Sequence, residues 1–556
     1  MLQWVCGKTT VLLRENTPFP WAKTGSCAVK GCAWRDDCFY NAGELLGFVS
    51  KAQTYNKLLE FVIELNGNYS IVASINGITY AISDRMRSFP LYYTSDCRYI
   101  FDNVDAVQKC IPLNSNYDFN TMAELMASGL FSLNNKTILD DVRAIESGAV
   151  LSFAADGLGV FRYFRHMRKA NYTIKTQTQY QDEIHDVSIR VFTRLIQSVE
   201  GKTVILPLSG GFDSRYVLCM LIKLGYKNIV TYTYGVKDGN YETENARKIA
   251  AKLNVPWFYV ETNDEFWEDF KTPVFIEYIN MAHNYTAVPH LQEVLVLSHL
   301  RKNKDFPRTG VVVTGFCGDM LGGSHIVLPE QYETLKNNNV SLTQFIFNSY
   351  FSWNKNMTAY KDAITENINK SIHVCESEED YNAFNDANEC WFTENKITKY
   401  LINSFRVYEF YGYEWRLPLW DNELTDYWYS VPNSERMYKK LYNDTLFEML
   451  FKPFEVEFSK SHDIYVPKND GKWVRFLKKT VMRGLNRALY YFSIKNKYLY
   501  SPCNFQRLSE LFYKDTEFKG LVDKDVSEMT AVESVWFLGV LFPDAMRQFQ
   551  KSIGRK

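Results

Sequence analysis

The feature that most constrains the fold is an alternation of apolar runs and helical patterns that begins after residue 171. The segments "TVILPLSGG", "NIVTYTYG" and "WFYVET" have the pattern of buried strands, and "SRYVLCMLIKLG" and "YETENARKIAAKLN" between them have a helical period. This alternation is typical of βαβ units, because two parallel strands need a crossover connection. The later run "GVVVTGFCGD" predicts a further strand. We therefore expect an α/β domain built on a parallel sheet.

The loop after the first of these strands has the pattern of a phosphate site. In "LPLSGGFDSRYVL" two glycines let backbone N–H groups approach an anion, two serines add hydroxyls, and a helix N-terminus follows. Asp213 would repel a phosphate unless it holds a divalent cation, so Mg²⁺ between Asp213 and pyrophosphate resolves the conflict. The loop lacks the lysine of the kinase and GTPase phosphate loop. The alternative is a glycine-rich turn in which Asp213 is a helix N-cap.

The first 160 residues have a different pattern, that of antiparallel hairpins. The segments "YSIVASINGITYAIS", "PLYYTSDCRYIFD" and "GAVLSFAADGLGVFRYF" each predict two strands around a polar turn, and a helix is expected at residues 55–64. After about Ser324 the chain is mainly helical and aromatic-rich. We predict three parts: a domain of antiparallel sheet at residues 1–165, which the resemblance described below implies to be a β-sandwich, the α/β domain at 170–460, and a helical extension at 461–556.

Composition and charge exclude several classes of protein. The net charge of −1 over 556 residues gives no overall field for nucleic acid or an anionic membrane. No apolar run reaches the length of a membrane-spanning helix, and "MLQWVCGKTTVLLRE" has no apolar secretory core. The 11 cysteines have no metal-binding spacing. We expect a reduced, cytoplasmic protein with no nucleic-acid partner and no integral membrane segment.

Several segments together resemble one family of enzymes. The run Ser209–Ser214 is similar to the SGGxDS signature of ATP pyrophosphatases, which cleave ATP between the α- and β-phosphates. "VVVTGFCGDMLGG" is similar to VLSGEGADELFGG, and "YEWRLPLWDNEL" to the EVRVPFLD segment, of asparagine synthetases. With "LNGNYSIV" and "SDRMRSFPLYYT" upstream, the ordered segments cover roughly residues 35–450. The chain thus resembles the asparagine synthetase B-like family, which implies a glutaminase-like domain of two stacked sheets followed by a PP-loop synthetase domain.

The resemblance implies a nucleotide site that takes ATP and Mg²⁺. Asp319 would be the second magnesium carboxylate beside Asp213. The alternative for Asp319 is a helix N-cap or turn residue. The pyrophosphate-binding residues would be Ser209, Gly210, Gly211, Asp213 and Ser214, and the adenosine contacts would be Leu208, Thr233 and Gly315.

One lysine is implied as a catalytic residue. Lys440, in "SERMYKKLYNDTLFEML", matches a family lysine that stabilises the charge on the acyl-adenylate. Lys439 is adjacent, so the register could differ by one residue. The alternative for Lys440 is an ordinary solvated helix lysine.

The chain departs from the family pattern at positions that serve glutamine hydrolysis and the attack of ammonia. Residue 2 is Leu where glutamine-dependent members have the nucleophilic Cys, and Cys6 lies within a predicted strand. Arg35, Asp36 and Asp37 stand where the family has its glutamine-binding NGE run. Phe316 replaces the Glu that assists ammonia attack, and an apolar pocket for a bulkier substrate is one consequence. We expect an inactive glutaminase, as in the β-lactam synthetase and lasso-peptide cyclase relatives.

The prediction is an ATP-dependent, AMP- and pyrophosphate-forming amide synthetase that joins a small-molecule or peptide carboxylate to ammonia or an amine. Three alternatives stay open: ammonia-dependent asparagine synthesis from aspartate, a tailoring enzyme of peptide or polysaccharide biosynthesis, and a nucleotide-binding pseudoenzyme scaffold. A homodimer is also left open. His283 and His290 are interpreted as core or pocket residues rather than metal ligands. The amphipathic basic stretch at residues 472–485 is interpreted as a helix packed on the synthetase domain.

Overall fold

The computed structural model describes residues 1–15, 18–111, 116–128, 130–168, 174–237, 240–373, 381–458, 503–522 and 529–554. In this part of the chain, three sheets have five, seven and five strands. The first two lie within residues 2–162 and the third within residues 204–416. The chain is therefore a multidomain α/β protein with mixed sheets, although the boundaries proposed from sequence at 165–170 and 460 stay predictions.

The N-terminal sheets are built mostly from antiparallel neighbours. The first has the order β1-β2-β9-β8-β10, and the second has the order β12-β11-β7-β6-β4-β3 with β5 paired to β4. All three predicted hairpins are confirmed, as β6–β7, β8–β9 and β11–β12. Only β2 and β9 pair in parallel among these strands. The strands are β1 Leu2–Cys6, β2 Thr9–Leu13, β3 Ala22–Thr24, β4 Cys27–Arg35, β5 Cys38–Asn41, β6 Asn66–Ile75, β7 Ile78–Ser83, β8 Tyr92–Thr94, β9 Tyr99–Phe101, β10 Val142–Ala144, β11 Ala149–Ala154 and β12 Gly157–Arg162.

These two sheets pack face to face. Val11 and Tyr93 of the first sheet share one apolar core with Val72 and Phe153 of the second. The other face of the second sheet is covered by α1 (Ala42–Val49) and α2 (Tyr55–Glu64), so the helix predicted at 55–64 is confirmed. Alternating side chains of each strand thus fill two cores, which is the pattern of a sandwich. Its assignment as a glutaminase-like domain stays a prediction.

The third sheet is the predicted parallel sheet. Its order is β15-β14-β13-β16-β17, and every neighbouring pair is parallel. The chain runs from β13 outward to β15 and then returns to the other side of β13, so the strand order reverses between β13 and β16. Ligands of such sheets bind at this reversal, beyond the carboxyl ends of the strands. The strands are β13 Val204–Pro207, β14 Ile229–Gly235, β15 Trp257–Glu261, β16 Val311–Val313 and β17 Glu414–Arg416.

Helices surround this sheet and form most of the described chain after residue 324, as the sequence predicted. A π-helical turn continues one of them through Thr393–Leu401. The further helices are α3 Val104–Gln108, α4 Phe119–Ser128, α5 Gln177–Val199, α6 Phe212–Lys223, α7 Tyr241–Lys252, α8 Asp264–Glu268, α9 Pro273–Ala282, α10 Gln292–Leu300, α11 Gly318–Leu321, α12 Pro329–Asn337, α13 Leu342–Ile346, α14 Lys361–Ser371, α15 Tyr381–Phe392, α16 Arg406–Phe410, α17 Asn422–Trp428, α18 Asn433–Arg436, α19 Lys440–Leu446, α20 Phe505–Asp515, α21 Met529–Leu541 and α22 Pro543–Ser552.

The described C-terminal helices pack on the part of the chain between β15 and β16. The rings of Phe512 in α20 and Trp536 in α21 stack with centroids 4.1 Å apart, and Phe270 contacts both. The Nε1 of Trp267 donates to the carbonyl of Cys503 at 3.3 Å. The basic stretch at residues 472–485 lies outside the described residues. Within the described ones, every helix is too short or too polar to cross a membrane.

Candidate active site

The phosphate-type loop is held closed by its own serines. The backbone N–H of Ser209 donates to Oγ of Ser214 at 3.0 Å, and the two Oγ atoms are 3.1 Å apart. The N–H of Gly211 donates to Oγ of Ser209 at 3.2 Å. Helix α6 begins at Phe212 with Gly211 as its N-cap. The alternative of Asp213 as the N-cap is therefore wrong, and its carboxylate is available for another role.

Asp213 and Asp319 come together where the loops after β13 and β16 meet. The N–H of Asp319 donates to Oδ2 of Asp213 at 3.1 Å, and the hydroxyl of Tyr442 donates to Oδ1 at 2.7 Å. Burial, and then the charge of Asp319, raise the pKa of Asp213 to about 7. The N-cap of α11 is Cys317, so Asp319 is not an N-cap either. Two carboxylates on adjacent strand ends are suited to share a divalent cation, which would relieve their repulsion.

Glycine at position 315 allows the two loops to approach so closely. A Cβ on Gly315 would lie 2.5 Å from the carbonyl carbon of Asp213 and from the amide nitrogen of Ser214. Neither backbone atom is free to move without opening the loop. Gly315, which the resemblance implies as an adenosine contact, therefore also sets how closely the segments that carry Asp213 and Asp319 approach each other.

A cavity of about 490 Å³ opens at this meeting point. It has a polar floor from the two loops and an aromatic wall, in which the ring of Phe316 meets that of Phe405 edge-on at 5.1 Å. Nε1 of Trp420 donates to the carbonyl of Phe316 at 2.9 Å and fixes this wall from behind. The lining residues are Pro207, Ser209, Gly211, Phe212, Asp213, Ser214, Thr314, Gly315, Phe316, Asp319, Ser404, Phe405, Tyr408, Lys439, Tyr442 and Asn443.

Three residues that the resemblance implies as nucleotide contacts support the phosphate-type loop and do not line the cavity. They are Leu208, Gly210 and Thr233. Oγ1 of Thr233 donates to the carbonyl of Leu208 at 2.6 Å and accepts from Nε1 of Trp257 at 2.9 Å. The carbonyl of Gly210 accepts from the fully buried Arg215 at 2.6 Å. These bonds fix where the loop leaves β13. The other implied loop and carboxylate residues all line the cavity.

The two adjacent lysines lie in different environments. Lys440 is 64% exposed and pairs with Asp444 one turn along α19, outside the cavity lining. Lys439 lines the cavity, and its Nζ lies 3.8 Å from Oδ2 of Asp319. Tyr438 and Lys439 both have left-handed backbone conformations, with φ of 60° and 57°. Strain of this kind is concentrated at functional sites, and here it turns Lys439 inward. The geometry favours Lys439 over Lys440, whose catalytic role stays a prediction.

Sequence reasoning missed five polar residues of the cavity, which are Thr314, Ser404, Tyr408, Tyr442 and Asn443. Thr314 is buried, and its Oγ1 has no hydrogen-bond partner among the described residues. Thr314 directly precedes Gly315 in the motif "VVVTGFCGDMLGG", so its position in the sequence could have identified it as a site residue. Tyr442 gave no signal, because its partner Asp213 is 229 residues away in the chain. An orphaned buried hydroxyl in a cavity fits a bound ligand.

The two histidines singled out by sequence do not line this cavity. His290 is in apolar surroundings, which lower its pKa to about 4. The ring of His283 packs against Tyr285 at 4.7 Å and Phe542 at 5.8 Å. The interpretation as core residues fits both. Among the described residues, no group of three or more His, Cys, Asp or Glu side chains is placed to hold a metal ion.

Comparison with protein families finds a match for the central part of the chain. Residues 194–446 match the family model described as asparagine synthase, which supports the asparagine synthetase-like resemblance over these residues. A search of curated proteins finds no match. Among solved structures, the chain is similar to an NH3-dependent NAD synthetase from Campylobacter jejuni subsp. jejuni NCTC 11168, in complex with the nitrate ion, at 16% identity over 35% of this chain and 86% of that one. The TM-score is 0.18, at which nothing follows about fold or function.

Proposed function

We propose that the asparagine synthase-like domain of residues 194–446 makes this protein an ATP-dependent carbon–nitrogen ligase that forms AMP and pyrophosphate. The observation that carries the proposal is the convergence of a phosphate-type loop with the Asp213–Asp319 pair in one cavity of about 490 Å³. A phosphate cradle beside two carboxylates at the reversal point of a parallel sheet is suited to magnesium-dependent nucleotide chemistry.

The loop and the motif after β16 form the nucleotide half of the site. Backbone N–H groups at the start of α6, with the hydroxyls of Ser209 and Ser214, would bind the β- and γ-phosphates that leave as pyrophosphate. Thr314 offers its unpartnered hydroxyl at the base of the same cavity. The substrate carboxylate would then attack the α-phosphate, which gives an acyl-adenylate held between the loop and the aromatic wall.

The donor set fits Mg²⁺. Asp213 and Asp319 supply hard oxygen ligands, and burial, then the charge of Asp319, raise the pKa of Asp213, so a bound divalent cation would favour its charged form. A magnesium ion would supply charge neutralisation for the leaving pyrophosphate. Tyr442 orients Asp213 through its hydrogen bond to Oδ1. Two protein carboxylates suffice, because phosphate oxygens and water commonly complete the coordination of this ion.

Lys439 is the proposed catalytic cation, and it takes the role that the resemblance implied for Lys440. It reaches the cavity beside Asp319 and is about one-third exposed, so its ammonium group can approach a bound acyl-adenylate. A cation there would stabilise the negative charge that develops on the adenylate oxygens during amine attack. Lys440 would contribute only its surface pair with Asp444.

The nucleophile is proposed to be ammonia or a substrate amine used directly. Arg35 pairs with Glu64 at 2.6 Å, and Asp37 pairs with Arg194 at 3.1 Å, so the segment at the glutamine-binding position is engaged in ion pairs. Cys6 lies in β1, opposite Thr9 of β2. These environments suit a structural role for the sandwich better than the hydrolysis of glutamine.

The aromatic wall favours a substrate larger than aspartate. Phe316 stands where the resemblance implies a Glu that assists ammonia attack, and the ring of Phe405 packs against it. Such a surface binds apolar substrate groups through burial. We therefore favour a tailoring synthetase that acts on a peptide or another carboxylate with apolar groups, with aspartate as the alternative substrate.

Pyrophosphate exchange tests this proposal. Purified protein is incubated with Mg-ATP, labelled pyrophosphate and single carboxylates, first L-aspartate and then amino acids and peptides with apolar side chains. We expect carboxylate-dependent return of label into ATP, and loss of that exchange in Asp213→Asn. Aspartate-dependent exchange alone would favour asparagine synthesis, and a folded protein that binds ATP without exchange would contradict the ligase.

A further inference from the structure

A buried arginine lies where the turn after β7 meets the end of β10. Arg87 is 1% exposed, and its Nε donates to the carbonyl of Ile145 at 2.9 Å. Its terminal nitrogens, Nη1 and Nη2, have no hydrogen-bond partner among the described residues. Its backbone is left-handed, with φ of 55°, which is unfavourable for any residue with a side chain. The guanidinium is thus held inside the protein against both strain and lost hydration, which indicates a bound partner.

A second buried donor lies beside this guanidinium. Tyr92 pairs in register with Ala144 of β10, next to Ile145, and the centroid of its ring is 5.8 Å from Cζ of Arg87. Its hydroxyl also lacks a hydrogen-bond partner in the part of the chain that the structure describes. Burial raises the pKa of Tyr92, although Arg87 opposes this effect, so the hydroxyl stays protonated and can donate. Because these groups all offer protons, the partner that fits them is an acceptor.

A buried lysine adds positive charge at the same end of β10. Nζ of Lys399 donates to the carbonyl of Asn134 at 2.6 Å, and the carbonyl of the next residue, Asn135, accepts from the N–H of Ala144 at 2.8 Å. The other bonds of Nζ also go to neutral oxygens. Burial lowers the pKa of Lys399 to about 8, and the charge of Arg87 acts in the same direction. Arg87, Tyr92 and Lys399 together form a donor cluster.

The carboxyl groups near the donor cluster do not balance its charge. Glu394 is shared by Arg162 at 2.7 Å and Arg165 at 3.1 Å, so it neutralises only one of them. Burial disfavours ionisation of Glu146, but nearby cations, Arg162 first among them, lower its pKa and keep it charged. Burial raises the pKa of Glu124 to about 7, so this carboxyl is partly protonated at neutral pH. Among the described side chains, cations therefore outnumber carboxylates around the cluster, and the local potential favours an anion.

We propose that Arg87 and Tyr92 bind a small inorganic anion of the size of chloride, with Lys399 adding to the positive field around it. The fork of a guanidinium can direct both terminal nitrogens to one acceptor, and the hydroxyl of Tyr92 supplies a further donor. The anion would neutralise Arg87 and fix the turn after β7 against the helical turn Thr393–Leu401. That turn continues directly into the segment that carries Phe405 of the aromatic wall. The site does not depend on the proposed function.

Thermal unfolding of the full chain in different sodium salts tests this site. Chloride and bromide are compared with gluconate at equal ionic strength, because gluconate is too large for a buried site of this kind. We expect wild type to have a Tm about 2–4 °C higher in about 0.2 M chloride or bromide than in gluconate. Arg87→Gly should fold, because glycine relieves the left-handed backbone, and should have equal Tm values in the three salts.

Asn76→Gly is the matched control, since Asn76 is also left-handed, with φ of 51°, but carries no charge. It should keep the wild-type response to halide. Tyr92→Phe keeps the ring and removes one donor, so its response should be smaller than that of wild type. Crystals grown in bromide should give an anomalous peak beside Arg87.

Three results would overturn the anion site. The first is a wild-type Tm that is equal in halide and gluconate. The second is an unchanged halide response in Arg87→Gly and in Tyr92→Phe. The third is density beside Arg87 that has no anomalous signal in bromide, which would mean that water satisfies the guanidinium.

Discussion

Tyr442 donates a hydrogen bond of 2.7 Å to Asp213 from a helix more than 200 residues further along the chain. This contact ties α19 to the phosphate-type loop, because Tyr442 also packs against the ring of Tyr216 in α6. A cation-binding carboxylate is thereby oriented by a residue of the segment that carries Lys439. Through Tyr442, the phosphate-type loop and the segment that carries Lys439 are thus in direct contact.

Tyr442→Phe should weaken the binding of Mg-ATP. The variant removes a hydrogen bond to a charged group, worth about 1.5–3 kcal/mol, so the KM for Mg-ATP should rise by about tenfold or more. The measurement is the magnesium dependence of pyrophosphate exchange. Tyr216→Phe is the control, since it deletes a neighbouring buried hydroxyl that contacts Ser188 rather than Asp213. Equal effects of the two variants would contradict the proposed orientation of Asp213.

Gly315→Ala should prevent the two loops from meeting. The new Cβ would lie 2.5 Å from two backbone atoms, so we expect a loss of stability of about 1–3 kcal/mol and loss of ATP binding. Thermal unfolding with and without Mg-ATP measures both. Gly47→Ala, in α1, has open space around its Cβ and should leave ATP binding unchanged. Normal ATP binding by Gly315→Ala would show that the close approach is dispensable.

Lys439→Met and Lys440→Met form a matched pair of adjacent substitutions. Lys439 lines the cavity and Lys440 does not, so the first should lower kcat by about 100-fold and the second by less than twofold. Steady-state kinetics of pyrophosphate release give both numbers. The opposite order would restore Lys440, the residue that the sequence resemblance implied.

Buried His166 should make the protein less stable as the pH falls below neutrality. Burial lowers its pKa to about 3, while its ring bonds the carbonyl of Arg85 at 2.6 Å and the hydroxyl of Tyr429 at 3.0 Å. The unfolded chain takes up a proton near pH 6.5 and the folded one does not, so this histidine contributes its full stability above pH 6.5 and loses it progressively toward pH 3.

Between pH 6.5 and 5 the loss from this single group should be about 2 kcal/mol. His166→Gln keeps a donor and an acceptor but does not titrate, so the difference in unfolding free energy between wild type and variant should shrink by that amount. Denaturant titrations at the two pH values test this. A difference that is independent of pH would contradict the assignment of a neutral, buried His166.

The sequence predicted those parts of the site that depend on local pattern. Helix α6 and the loop before it follow from a strand, two glycines and a helical period in adjacent residues. The convergence of Asp319 on Asp213 came only from family resemblance, because no local pattern brings residues 106 apart together. The sequence left the choice between Lys440 and Lys439 open by one residue, because the left-handed backbone of Tyr438 and Lys439 is not marked by a glycine.

The most direct test of the proposed adenylation traces one oxygen atom from the substrate carboxylate into the nucleotide product. The active carboxylate is supplied with ¹⁸O in its carboxyl group, and the nucleotide products with Mg-ATP and the amine are analysed by mass spectrometry and ³¹P NMR. Adenylation predicts AMP that carries one ¹⁸O, together with unlabelled pyrophosphate. ADP as the product, with label in inorganic phosphate, would mean an acyl-phosphate route and would contradict the account of Asp213, Asp319 and the phosphate-type loop.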